Sequence, residues 1–233
     1  MKTAGIIGGF GPEATAKIQL EIVDIFRAKK IKTRPPLLIW QTPIPLVIEE
    51  GLILRGKGVS KFLPFLIEGA QRLKDGGADF LIIPCNTLHA IMEKVEKKTD
   101  LPFINLLDET AKELKGKGVS KVGIIASSAT IKSQLHQECL KNHDIQAVVP
   151  ENKEQIQIDK AINQILGQKN PSKTKKILQS VVRSFQNKGI ENILLACTDL
   201  QEVFPKNIKI HDTLQILAKA TAREILREER QNN

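Results

Sequence analysis

The sequence predicts an α/β protein of two similar domains, each a mostly parallel sheet flanked by helices, related by pseudo-twofold symmetry with a cleft between them. Three observations carry this expectation. Short β-rich runs alternate with amphipathic stretches, the pattern of parallel strands joined by right-handed helical crossovers. Two of those runs, GGADFLIIPCNTL and KGIENILLACTDL, are copies: Gly77 falls on Gly189, Asp79 on Glu191, Ile82 on Leu194, Cys85 on Cys197 and Leu88 on Leu200. The duplication extends to both sides of the cysteines. KTAGIIGGFGPEAT matches SKVGIIASSATIKS with Gly5 on Gly123, and PFINLLDETAKEL parallels NIKIHDTLQILAKA with Asp108 on Asp212. A unit this long is a domain rather than a solenoid repeat.

The elements follow in order. An Ile-Ile run gives a first strand at Thr3 to Gly8, ended by a glycine-rich loop. Apolar residues spaced by three and four then predict a helix over Ala14 to Lys29. Leu37 to Gln41 is a strand bounded by prolines on both sides, and Gly58 to Asp75 is amphipathic and helical up to its Gly76-Gly77 stop. Phe80 to Pro84 is the strand that delivers Cys85, and Phe103 to Asn105 is a short one after Pro102. GKG punctuation within Lys115 to Ser120 separates the halves. The second half repeats the scheme with strands at Val122 to Ala126, Gln146 to Val149, Asn192 to Ala196 and Ile208 to Ile210. A helix over Lys173 to Lys188 precedes the cysteine strand, and a last helix, Thr213 to Glu229, packs back on one half. Residues 1–115 with 213–233 therefore form one domain and 116–212 the other.

Composition agrees: 233 residues with 41% apolar content can fill two cores. The net charge of +9 is scattered through amphipathic segments, aromatics are 4%, and no helix-turn-helix, finger or RNA-binding signature appears, so nucleic acid is not an expected partner. No stretch has the roughly 18 consecutive apolar residues needed to span a bilayer, and the N-terminus enters a strand directly, so a cytoplasmic address and no membrane partner are expected. Three cysteines, an odd number, do not make a disulfide framework.

In parallel sheets ligands sit beyond the carboxyl ends of the strands, which is where Cys85 and Cys197 lie. If the halves face each other, one sulfur approaches a bound molecule from each side. Removing a proton from an amino-acid α-carbon and returning it to the opposite face needs two such acid/base groups. A thiol, with an unperturbed pKa of about 8.5, can be tuned toward neutrality for that task. Asn86 with Thr87, and Thr198 with Asp199, are placed for helix caps and for contacts to a carboxylate. Gly9 to Ala14 has the G-x-G-x-x-A form of a dinucleotide fingerprint, but Leu37 to Trp40 is followed by Gln41-Thr42-Pro43 and not by the required acid, so the glycines serve close approach to a small ligand. Cys139, in a helix without a counterpart, reads as structural, and His89 and His211 as locally satisfied polar groups. Close-spaced ligand pairs such as C-x-x-C are absent, so no metal is expected.

GIIGGFGPEAT, IIPCNTLHA, IASSAT and LLACTDL together resemble the cofactor-independent aspartate/glutamate racemase superfamily, and most of all its aspartate racemase branch, over essentially the whole chain. The resemblance implies two α/β domains with the site between them, no pyridoxal phosphate, no metal, a small amino-acid substrate and a homodimer. It implies that Cys85 and Cys197 exchange the α-proton of aspartate or glutamate, the alternatives being a related isomerase or decarboxylase of small dicarboxylates or a non-catalytic ligand-binding relative. It assigns substrate contacts to Gly9 and Phe10, Asn86 and Thr87, Ser127 and Thr130, and Thr198. There are departures from the family pattern. An acidic-basic pair is usual after the Ile-Pro of the second strand's loop, whereas Ile44-Pro45 is followed here by Leu46-Val47, with Glu49 and Glu50 beyond. Arg55, Lys57 or a lysine between Lys169 and Lys176 would then have to supply the positive partner of a distal carboxylate. Phe10 replaces a more usual methionine, and Asp199 a glutamate.

Overall fold

The computed structural model describes residues 1–55, 58–166, 171–198, 200 and 209–227. Asp199, Lys57 and strand residue Ile208 lie outside them. The first half runs β1 (Ala4–Gly8), α1 (Pro12–Ala28), β2 (Leu37–Gln41), α2 (Leu46–Arg55), a 3₁₀ turn (Val59–Phe62), α3 (Leu63–Asp75) and β3 (Phe80–Ile82), then a second 3₁₀ turn (Thr87–Ile91), α4 (Met92–Thr99) and α5 (Leu106–Gly116). The second half runs β4 (Lys121–Ile125), α6 (Ser128–Lys132), α7 (Leu135–Lys141), β5 (Gln146–Val148), α8 (Asn152–Leu166), α9 (Pro171–Asn187), β6 (Asn192–Leu195), β7 (Lys209–Asp212) and α10 (Thr213–Ile225).

Two parallel sheets result, ordered β2-β1-β3 and β5-β4-β6-β7. Their registers reproduce the repeat: Gly5 pairs with Leu81 as Gly123 pairs with Ile193. The expected strand at Phe103 to Asn105 is reduced to one bridge, Phe103 with Leu81, because Pro102 and Ile104 supply only the two flanking ladder bonds. That bridge corresponds to Ile210 with Ile193 in β7. It corrects the alignment of the acids: the counterpart of Asp212 is Asn105, not Asp108. Each residue caps the helix that follows. Asn105 Oδ1 accepts from the Leu107 and Asp108 amides and Asp212 Oδ1 from the Leu214 amide.

Strand residues alternate between two apolar faces, as a sheet covered on both sides requires. On the first sheet Ile7, Leu81 and Ile83 face α3 and α4, whereas Ala4, Ile6, Phe80 and Ile82 face α1 and α10. On the second, Ile125, Ile193 and Leu195 face α8 and α9, whereas Val122, Ile124 and Leu194 face α5 and α7. The halves exchange their terminal helices. Ala111 and Leu114 of α5 sit in the core of the second sheet, and Leu214, Leu217 and Ile225 of α10 in that of the first. Among the described residues no helix is long and apolar enough to cross a membrane.

Candidate active site

Period-two alternation aims the cysteines. Leu81, Ile83 and Cys85 share one face of the first sheet, and Ile193, Leu195 and Cys197 the equivalent face of the second. Both thiols are half-buried, and both line the same cavity between the halves, an empty space of about 660 Å³ that includes its opening to solvent. Duplication has thus brought two equivalent sulfurs to one cleft.

The remaining wall comes from both halves. Phe10 is buried with its ring 5.7 Å from that of Phe62, and the two, with Leu88, Ala129 and Ile162, form the apolar part. The polar part is a hydroxyl chain: Thr87 Oγ1 lies 2.8 Å from Thr130 Oγ1, which lies 3.1 Å from Ser127 Oγ. Ser127 also caps α6, accepting from the Thr130 amide at 3.3 Å. Rotatable hydroxyls can turn their protons toward an incoming carboxylate, so this chain is an adaptable donor site for an anion. Thr198 lines the cavity and donates its hydroxyl to the Pro84 carbonyl at 3.4 Å.

Asn86 departs from the expectation that it caps the turn after Cys85. Its side chain makes no cap bond there. Its Nδ2 donates to Thr213 Oγ1 at 3.0 Å, and its Oδ1 lies 2.8 Å from His136 Nε2. An amide carries two N–H groups and two acceptor lone-pair sites, so half its capacity remains for a ligand in the cavity it lines. His136 is almost fully buried and its pKa is pushed down to about 3 by burial and by neighbouring His89. His89 is pushed down to about 4, chiefly by burial, with its Nδ1 2.8 Å from the Cys85 carbonyl. Two neutral imidazoles therefore flank the Cys85-Asn86 peptide.

Of the residues assigned to substrate contact, Phe10, Asn86, Thr87, Ser127, Thr130 and Thr198 line the cavity. Gly9 stands behind it: its φ is +97°, and a Cβ there would lie 2.5 Å from the Thr42 carbonyl oxygen. Gly11 lines the cavity instead. Glu49, Phe62 and Ile162 also line it and carry no recognisable motif; only their helical periodicity could have flagged them. His211 lies outside the cleft, 3.1 Å from Asn192 Oδ1. Cys139 has company: Asp108, Cys139 and His143 place ligand-type atoms within 4.8 Å of one another on the α5–α7 seam. Asp108 already holds the Lys112 ammonium at 2.5 Å, and burial and the Asp108 charge push the Cys139 thiol up, so the group is an ion-pair cluster beside a protonated thiol.

Comparison with known proteins gives consistent results. A family model described as Asp/Glu/hydantoin racemase matches residues 7–221. The broad specificity amino-acid racemase RacX of Bacillus subtilis (strain 168) is 26% identical over 227 residues, 93% of this chain and 95% of that protein. An aspartate racemase homologue from Pyrococcus horikoshii OT3 shares the fold with a TM-score of 0.80 at 24% identity, over 97% of this chain and 99% of the other. An aspartate racemase from Picrophilus torridus does so with a TM-score of 0.79 at 24% identity, over 97% and 94%.

Proposed function

Because the chain belongs to the Asp/Glu/hydantoin racemase family of isomerases, we propose that it interconverts L- and D-aspartate, with glutamate as an alternative, by cofactor-independent exchange of the α-proton between Cys85 and Cys197. One observation carries this reading: the two cysteines of the repeat line one cavity. The thiolate of one abstracts the proton from Cα, leaving a planar carbanion, and the thiol of the other donates its proton to the opposite face. No atom is gained or lost, and the protonation states of the sulfurs are exchanged.

The carbanion is the difficult species, and stabilising it is electrostatic work. Thr87, Thr130, Ser127 and Asn86 are the candidate carboxylate ligands, since donors on that carboxylate disperse the charge that develops on deprotonation. The apolar wall of Phe10, Phe62 and Ile162 keeps the dielectric low, which strengthens those bonds. Reduced thiols suit a cytoplasmic address, and a homodimer is part of the same proposal.

A second reading of side-chain preference is favoured by Glu49. Among the described residues lining the cavity it is the one ionisable side chain besides the cysteines. A carboxylate on that wall can accept hydrogen bonds from a neutral or cationic substrate side chain.

One experiment tests both readings. The protein is incubated in D₂O with a panel of L-amino acids, acidic, neutral and basic, and α-deuterium incorporation and optical rotation are followed. Exchange with inversion in the wild type, and inversion lost in both Cys85→Ser and Cys197→Ser, is the expected outcome. Inversion of configuration surviving either substitution sinks the two-cysteine mechanism, and the preferred member of the panel decides between the side-chain readings.

A further inference from the structure

Four hydrogen bonds contributed by the second half converge on the loop Pro84, Cys85, Asn86, Thr87. Thr130 meets Thr87, His136 and Thr213 meet Asn86, and Thr198 meets the Pro84 carbonyl. The bonds to Asn86 run on to the other cysteine. Thr213 Oγ1 donates at 2.9 Å to the carbonyl of Leu195, the residue that closes β6 two positions before Cys197.

The chain has one consistent direction. The Thr213 hydroxyl spends its only proton on Leu195, so it must accept from Asn86, which requires the Asn86 Nδ2 to face it. Asn86 Oδ1 then faces His136, and His136 must be the donor through Nε2–H. Burial keeps this imidazole neutral, so with its one proton on Nε2 the Nδ1 carries none. His136, Asn86 and Thr213 are 1%, 3% and 0% exposed, so water does not compete for these bonds. Buried bonds linked in this way, each with a fixed donor and acceptor, hold the three side chains in one arrangement.

We infer that His136 and Thr213 are positioning residues that set the separation of the two sulfurs, by tying the Asn86 side chain to the strand end that delivers Cys197. Neither residue lines the cavity; each acts through Asn86. The inference rests on the two-cysteine reading for its catalytic meaning, and on hydrogen-bond geometry for its structural content. A misplacement of about 1 Å can cost roughly 10²-fold in rate.

The test reads sulfur geometry and catalysis separately. In a Cys139→Ser background, dibromobimane, which becomes fluorescent on bridging two thiols, reports the separation of Cys85 and Cys197 without reference to any substrate. Thr213→Val keeps the side-chain shape and removes both bonds. The expected result is slower bridging and a kcat lower by about 10- to 100-fold, with KM changed much less, and recovery of both in Thr213→Ser. Should Thr213→Val not fold, His136→Leu is compared with His136→Gln, whose amide N–H can replace the imidazole donor; Leu impaired and Gln recovered is the supporting outcome. Bridging and kcat at wild-type values in Thr213→Val, or equal values for His136→Leu and His136→Gln, would overturn the relay. So would a parent protein that dibromobimane cannot bridge. A parent that bridges but racemises nothing removes the proposed function and leaves the bridging comparison alone to judge the relay.

Discussion

Gly9 and Asn86 show how differently single residues announce their roles. Gly9 stands in a glycine-rich loop and was expected to contact substrate, but its position has a backbone cause: a positive φ and a carbonyl 2.5 Å from where a Cβ would stand. Gly9→Ala should therefore lower stability by about 1–3 kcal/mol through displacement of Thr42, seen as a drop in Tm. A Tm equal to wild type would show that the loop relaxes without cost. Asn86 was visible as a polar residue after a cysteine, yet its partners were not. They lie at His136 and Thr213, far away in sequence, and nothing local distinguishes a capping asparagine from one recruited by distant residues. His136 stands in a short helix without a motif and became meaningful only when α7 was brought beside the Cys85 loop.

Among the elements, the two capped helices, α5 and α10, carry the clearest lesson. The sequence copies align Asp108 with Asp212 because both are acids, whereas strand register makes Asn105 the counterpart of Asp212. The same cap is thus neutral in one half and ionisable in the other. Burial pushes the Asp212 carboxyl from 3.8 up to about 6, and its Oδ2 has no hydrogen-bond partner among the described residues. A carboxyl with a raised folded pKa holds its proton more tightly in the fold, so between pH 3.8 and about 6 stability falls as pH rises, and above that window the full cost remains. Asp212→Asn keeps an N-cap acceptor and removes the charge. It should stabilise the protein at pH 8 by on the order of 1–2 kcal/mol, with little effect at pH 3.5. Denaturant midpoints at the two pH values check this, and a loss of stability at pH 8 would show that the helix dipole outweighs burial.

For the whole molecule the buried histidines dominate the response to acid. His89, His136 and His211 are pushed from 6.5 to about 4, 3 and 4, mainly by burial. Below pH 6.5 the unfolded chain takes up protons that the fold refuses, so stability falls as pH drops through that window. Among the described residues with a shifted pKa, Asp212 alone acts in the opposite sense there. Tm should decline steadily from pH 6.5 to 4.5 at constant ionic strength, and a Tm that is flat or rises on acidification would contradict the assigned neutrality. The sequence by itself determined the duplication, the parallel α/β class and the place of Cys85 and Cys197 at strand ends, because hydrophobic periodicity and internal similarity are local signals. Only the tertiary structure decided that α5 crosses to the second core in return for α10, that both sulfurs open on one cavity, and that a buried chain from His136 to Leu195 joins their loops. Those facts depend on which surfaces meet, and apolar helix faces without distinguishing side chains do not name their partners.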